Sequence, residues 1–175
     1  MKSVVIYKSK SGYTKKYAEW LAQAISADLL EAENFKKEQF GSYDNVIYGG
    51  GIYAVGINGI KLIKNNLPAL KGKKVIVFAT GLSPAREDVI KVVKDKNFTA
   101  EELESIGFFY MRGGFDLGKL KVMEGLAMKL MRHILKRKDP AAMSEDDRGM
   151  LEAFEHPVDF TDRNTIEPIL EVLRE

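Results

Sequence analysis

The chain has 175 residues, 45% of them hydrophobic and 30% charged, with a formal net charge of +2 at pH 7, so the expectation is one globular domain, 1–175. It contains no cysteine and only two histidines, His133 and His156. That excludes disulfides, thiol chemistry and thiolate metal sites, and no metal cluster is expected. The N-terminus carries no signal-type apolar segment and no apolar run is long enough to span a bilayer, so the expected location is cytoplasmic.

Val4-Val5-Ile6-Tyr7 is a β-branched apolar run that breaks into Ser9-Lys10-Ser11-Gly12-Tyr13-Thr14. Tyr17, Trp20, Leu21, Ala24 and Ile25 then recur at helical spacing, with Trp20 read as core. A helix that starts straight after such a loop leaves its first N–H groups without intrahelical acceptors. With the dipole end and the hydroxyls of Ser9, Ser11 and Thr14, those groups form an anion site, and Lys8 and Lys10 add charge. An ordinary N-cap at Ser11 or Thr14 is the alternative, but a cap needs one hydroxyl rather than three. The Walker spacing is absent.

Asp28 to Ala32 reads as a short second strand. Asn45-Val46-Ile47-Tyr48 is a third, ending in the turn Gly49-Gly50-Gly51-Ile52-Tyr53-Ala54-Val55-Gly56. A helix is expected from Ile57 to Leu67, closed by Pro68. Lys74 to Ala79 is a fourth strand ending at Thr80-Gly81. Ser83-Pro84 reads as a cap plus Pro at the first helical position, opening a helix through Val89, Ile90 and Val93. Thr99 to Glu102 is a capping box, and Ile106 to Met111 is the fifth strand. Five strands separated by helices imply an α/β three-layer, doubly wound fold with a parallel sheet. Its strand ends then lie at one carboxyl edge.

Gly49 to Ala54 also satisfies Gly-x-Gly-x-x-Gly/Ala, the dinucleotide fingerprint. It follows the third strand rather than the first, and no acidic residue closes a strand about 20 residues on. Ser9-Lys10-Ser11-Gly12-Tyr13-Thr14, placed after the first strand, resembles the flavodoxin phosphate loop, Ser/Thr-x-Ser/Thr-Gly-x-Thr. The resemblance implies a flavodoxin-like sheet of order 2-1-3-4-5, with FMN bound non-covalently where the first and third strands part. Ser9, Lys10, Ser11, Gly12, Tyr13 and Thr14 would hold the phosphate. Gly51, Ile52, Tyr53 and Ala54, with Thr80, Gly81, Gly113 and Gly114, would meet the flavin ring. Lys8, Lys10 and Arg112 imply a less negative surrounding than flavodoxins provide, which favours an anionic reduced flavin.

After the fifth strand the chain inserts residues 112–159. An apolar stripe at helical spacing from Phe115 to Leu135, which includes Met123, carries a polar face with Lys121, Lys129 and Arg132, so a helix is expected over 115–138. Pro140 breaks it, Ser144 to Asp147 reads as a capping box, and Ile166, Ile169, Leu170 and Leu173 mark a final helix. Residues 112–138 hold 8 basic against 2 acidic residues, and 139–175 hold 3 against 11. Mutual compensation is the simplest reading of that split. The basic Met/Leu-rich insertion, Gly51-Ile52-Tyr53 and His156 to Asp162 look like the menaquinone-dependent protoporphyrinogen oxidase branch. This chain carries Tyr53-Ala54 where that branch has a basic and aromatic pair.

Two functional classes stand side by side, with no catalytic residue assigned in either. One is an electron carrier docking to a redox partner protein. The other is an FMN oxidoreductase linked to a quinone or acting on a porphyrinogen. A cofactor-free interaction module is a third, weaker class. Segment 115–138 packs on the sheet, forms a homodimer seam or touches a membrane surface. Nucleic acid is not an expected partner.

Overall fold

The computed structural model describes residues 1–120 and 122–174, with the side chains of residues 122–124 left aside. Lys121 and Met123, both counted in the stripe above, therefore lie outside the described residues and side chains. The elements run β1 (Ser3–Lys8), α1 (Tyr13–Ile25), β2 (Asp28–Glu31), β3 (Asn45–Tyr53), β4 (Gly56–Ile57), α2 (Lys61–Lys64), β5 (Lys74–Gly81), α3 (Glu87–Asn97), α4 (Ala100–Ser105) and β6 (Ile106–Arg112). Then come β7 (Gly114–Phe115), α5 (Val122–Lys136), α6 (Glu145–Glu155), β8 (Val158–Asp159) and α7 (Glu167–Arg174). The main sheet has the order β2-β1-β3-β5-β6, and all four of these pairings are parallel. This is the α/β flavodoxin-like arrangement expected from the sequence.

Successive side chains of a strand point to opposite faces, and the two faces fill differently. Val4, Ile6, Val46, Tyr48, Val75 and Val77 pack with Phe40, Ile60, Ile63, Val93 and Phe98. Val5, Tyr7, Ile47, Ile76 and Phe78 pack with Tyr17, Leu21, Ile169, Leu170 and Leu173, the inward residues of α1 and α7. Both sides of the sheet are thus covered, which is why its strands read as unbroken apolar runs rather than as alternation. Each fully buried large apolar side chain contributes about 1.5–3 kcal/mol.

Four elements differ from the sequence expectation. The helix expected over 115–138 shortens to α5, because Phe115 belongs to β7 and Leu117–Lys119 form a separate 3-10 turn. Gly49-Gly50-Gly51 is strand, not turn, because β3 continues to Tyr53. Gly49 sits in the row Tyr7–Gly49–Phe78–Phe109 across four strands. A Cβ at Gly49 would overlap the Phe78 ring, and one at Gly50 would lie 2.5 Å from Ile57 Cγ2. The glycines leave room for neighbouring side chains rather than bending the chain. The helix expected from Ile57 shrinks to α2, since Ile57 pairs antiparallel with Ile52 in a β3–β4 hairpin and Gly59 takes φ +74°. Ser83-Pro84 opens no helix: α3 begins at Glu87, preceded by Arg86, while the Ser83 carbonyl accepts from the Tyr110 hydroxyl at 2.7 Å.

The two capping boxes are present. Thr99 Oγ1 accepts from the Glu102 N–H at 3.2 Å, and Glu102 Oε2 accepts from the Thr99 N–H at 2.8 Å. Ser144 and Asp147 repeat that exchange at the start of α6. Basic and acidic blocks compensate each other as expected: Arg132 and Lys136 of α5 meet Glu155 of α6, and Lys138 meets Asp147. The Arg132 and Lys136 hydrogen bonds hold the Glu155 carboxyl down to about 2. Such a contribution is complete above the ordinary carboxylate range and fades as pH falls towards 2.

The glycine packing is testable. Gly49→Ala should cost about 1–3 kcal/mol by overpacking, read as a lower urea midpoint. Gly125→Ala, where an added Cβ meets nothing within 4 Å, should instead stabilise α5 by about 0.5–1 kcal/mol. Equal midpoints in the two variants would contradict this account.

Candidate functional site

The loop between β1 and α1 is built around Gly12, which adopts φ +91° at the N-cap of α1 and makes no side-chain cap. An L-residue rarely holds that conformation, and an added Cβ there would meet nothing within 4 Å. The Gly12 N–H donates to Ser9 Oγ at 3.1 Å, so Ser9 braces the loop from within. Neither Ser11 nor Thr14 caps the helix. Thr14 Oγ1 instead shares a 2.6 Å hydrogen bond with Thr80 Oγ1 at the top of β5. That bond crosses over Gly51 of β3, where a Cβ would stand 3.3 Å from Thr14 Oγ1. The first amides of α1 are thereby left to an outside acceptor, with positive dipole behind them.

The strand ends meet this loop in one cleft of about 380 Å³. Lys10, Ser11, Tyr13 and Thr14 line one side, Gly51, Ile52, Tyr53 and Ala54 another, and Thr80, Gly81, Gly113 and Gly114 the floor. Of the residues expected from the sequence, Ser9 and Gly12 are not in the lining and shape the loop instead. The cleft opens at the carboxyl ends of β1 and β3, where the strand order reverses, the position at which open α/β sheets bind ligands.

The insertion supplies lining that the sequence reading missed. Phe115, Leu120, Ala127, Met128, Met131 and Met150 face the same cleft and roof it with apolar and thioether side chains. Phe115 packs edge-on against Phe154 of α6 at 5.1 Å, and β7 pairs with β8 beside it. Three methionines in and beside a Leu-rich helix were the available signal, since Met fills irregular gaps around ligands.

Charge is distributed differently from expectation. Lys10 Nζ lies 4.4 Å from the Tyr53 ring centroid, bridging the β1–α1 loop and the hairpin. Lys8 turns away to Glu33 at 3.1 Å. Arg112 donates from Nε to the Leu82 carbonyl at 3.1 Å and lies 3.5 Å from the Phe160 ring centroid. Its charge is thus directed to Leu82 and Phe160, and Arg112 is not part of the cleft lining. Burial raises the Tyr13 phenol above its ordinary value and pushes Tyr110 up to about 12, so both remain neutral at ordinary pH. Among the described residues no group of three or more His, Asp or Glu is placed to hold a metal.

The β3–β4 hairpin turns on Ala54 and Val55, which take φ +45° and +62°. Both are left-handed values, and for a β-branched residue such a value is a genuine outlier. Conformations of this kind cost about 1–3 kcal/mol each and persist where surrounding structure determines them.

Comparison with known proteins gives three levels of likeness. An uncharacterised protein of Methanocaldococcus jannaschii is 28% identical over 129 residues, covering 72% of this chain and 85% of that one. The Trp repressor binding protein of Bacillus subtilis overlays with TM-score 0.49 at 19% identity, over 64% of this chain and 83% of its own. Two-electron reduced Megasphaera elsdenii flavodoxin overlays with TM-score 0.46 at 19% identity, over 62% and 84%. Residues 4–141 match the model of the flavodoxin domain family. That span runs from β1 through α5 and takes in most of the chain, so this protein belongs to the flavodoxin domain family.

Proposed function

We propose that the cleft binds FMN non-covalently and that the protein works in electron transfer. The observation carrying this reading is the uncapped N-terminus of α1 beneath the open Gly12 loop, facing the same cleft as three strand ends. A volume of about 380 Å³ falls within the range of ordinary cofactor sites. The α1 amides and the Ser11 and Thr14 hydroxyls would hold the phosphate. The backbone at Gly51, Thr80 and Gly81 would meet the ring edge, and Ile52, Tyr53 and Leu82 would cover its faces. FMN would supply the redox chemistry, and the chain supplies binding, orientation and water exclusion. No side chain here needs to act as acid, base or nucleophile.

Ser11→Ala isolates the phosphate contact without touching the Thr14–Thr80 bond. A hydrogen bond to a charged group is worth about 1.5–3 kcal/mol, so FMN affinity should fall roughly ten- to a hundredfold. Riboflavin affinity, lacking the phosphate, should stay within about threefold. Parallel losses for both ligands, or none for FMN, would reject the assignment.

A second reading has its own observation. Leu126, Leu130 and Ile134 form one line along α5 and are 62%, 61% and 60% exposed, with exposed Lys129, His133 and Arg137 close to that line. Met131 on the same helix reaches the cleft. In this reading the chain is a quinone-linked FMN enzyme of the protoporphyrinogen oxidase type whose α5 rests on an anionic membrane surface. Each Lys or Arg near such a surface is worth about 1 kcal/mol. No helix among the described residues is long and apolar enough to cross a membrane.

Vesicle co-sedimentation tests this reading. The pellet fraction should require anionic lipid, fade with salt and drop in a Lys129→Gln/Arg137→Gln variant. That variant leaves Arg132 and Lys136, the partners of Glu155, untouched. Absence from vesicles, with mass doubling as concentration rises, would assign the stripe to a second copy.

A further inference from the structure

Asn97 closes α3, lies outside the cleft lining and is 7% exposed. Its Nδ2 donates to the carbonyls of Val55 and Val93 at 2.8 and 2.7 Å. Its Oδ1 accepts from the Ile57 N–H at 2.8 Å. One planar amide therefore joins the turn and the β4 arm of the hairpin to a helix. The Asn97 carbonyl in turn accepts from Lys64 Nζ at 2.6 Å, and Lys64 pairs with Glu102 at 3.0 Å, so the clamp is itself anchored.

What the clamp holds is the Ala54–Val55 turn, the left-handed pair described above. Two-residue hairpin turns of this hand are favoured by Asn-Gly or Asp-Gly, whose backbones accept positive φ. Ala-Val has the opposite preference, so the conformation comes from outside the turn. The part-buried Val55 carbonyl and the buried Ile57 amide can both meet Asn97 only while the turn keeps this shape, and leaving the Ile57 amide unmet is unfavourable. The turn lies directly after Tyr53, which lines the cleft with Ala54.

We propose that Asn97 is a positioning residue: from outside the cleft it imposes the left-handed Ala54–Val55 turn and so sets where Tyr53 and Ala54 stand in the cofactor site. The consequence for FMN rests on the flavin reading above, whereas the consequence for the turn does not.

The experiment compares wild type, Asn97→Ala, and Asn97→Ala combined with Val55→Gly, after far-UV circular dichroism confirms folding. Amide spectra and φ-sensitive couplings at residues 53–57 are read without flavin, followed by FMN titration. Asn97→Ala should shift the Tyr53 and Ala54 amides, take Val55 out of its left-handed coupling and weaken FMN by about tenfold, the scale of one hydrogen bond. Glycine accepts positive φ without help, so adding Val55→Gly should return Tyr53 and Ala54 to their wild-type amide positions and FMN affinity to within about threefold. A general loss of α3 packing would not be rescued by a glycine in the hairpin.

Should Asn97→Ala fail to fold, Asn97→Asp keeps the acceptor for Ile57 and removes the donor to Val55, and the same comparison applies. Unchanged couplings in the folded single variant, or no rescue by Val55→Gly, would overturn the proposal. A wild-type protein that takes up no FMN would reject the flavin reading, while the amide comparison would still decide the role of Asn97.

Discussion

The structure depends on a central strand that gives up its side chains where its neighbours need the space. β3 lies between β1 and β5, and its three consecutive glycines stand level with Tyr7, Phe78 and Phe109 in one row and with Thr80 in the next but one. At Gly49 the Phe78 ring occupies the missing volume; at Gly50, Ile57 folds back from the hairpin. At Gly51 the hydroxyls of Thr14 and Thr80 reach each other over the strand. The first two are close approaches that only a residue without Cβ permits, and at Gly51 an added Cβ would crowd the Thr14 hydroxyl at 3.3 Å. Together they bring loop, hairpin and strand end to one cleft.

Much of this was legible because it rests on local chemistry. β-branched runs between helical periods gave a parallel sheet, and its expected order holds. The Ser9–Thr14 loop was recognisable from spacing, and most of its residues do face the cleft. What was not legible depends on tertiary partners. Gly49-Gly50-Gly51 looks like a turn until Phe78 and Ile57 are known to fill it. Ser83-Pro84 carries a helix-start signal, but the Ser83 carbonyl is held by Tyr110 and the helix begins later. Lys8 and Arg112 sit at strand ends, but whether they face the cleft depends on Glu33, Leu82 and Phe160, all remote in sequence.

The insertion shows the same limit from the other side. Its helical period and Ser144 cap were readable, and so was the match of basic to acidic blocks. Its place over the cleft was not, because a Met/Leu stripe looks alike whether it covers a sheet edge, a second copy or a cofactor site. In the structure different faces of α5 have different surroundings. Met128 and Met131 turn inward over the cleft, Leu135 is buried, and Leu126, Leu130 and Ile134 face outward. Tyr17 ties the region to the sheet by donating to the Arg112 carbonyl at 2.8 Å and accepting from the Asp162 N–H at 3.1 Å. The chain leaves and re-enters the domain at that hydroxyl.

The ring of Phe78 beneath Gly49 has an evolutionary corollary. The two positions share a single allotment of volume, as facing residues in a close-packed interior do. Lineages that enlarge position 49 can keep the same sheet only by shrinking position 78, so in related sequences the pair should drift jointly rather than singly. Gly49 would then be retained through its neighbour's bulk, and its permanence would carry no information about ligand contact, although it stands two residues from a cleft-lining glycine.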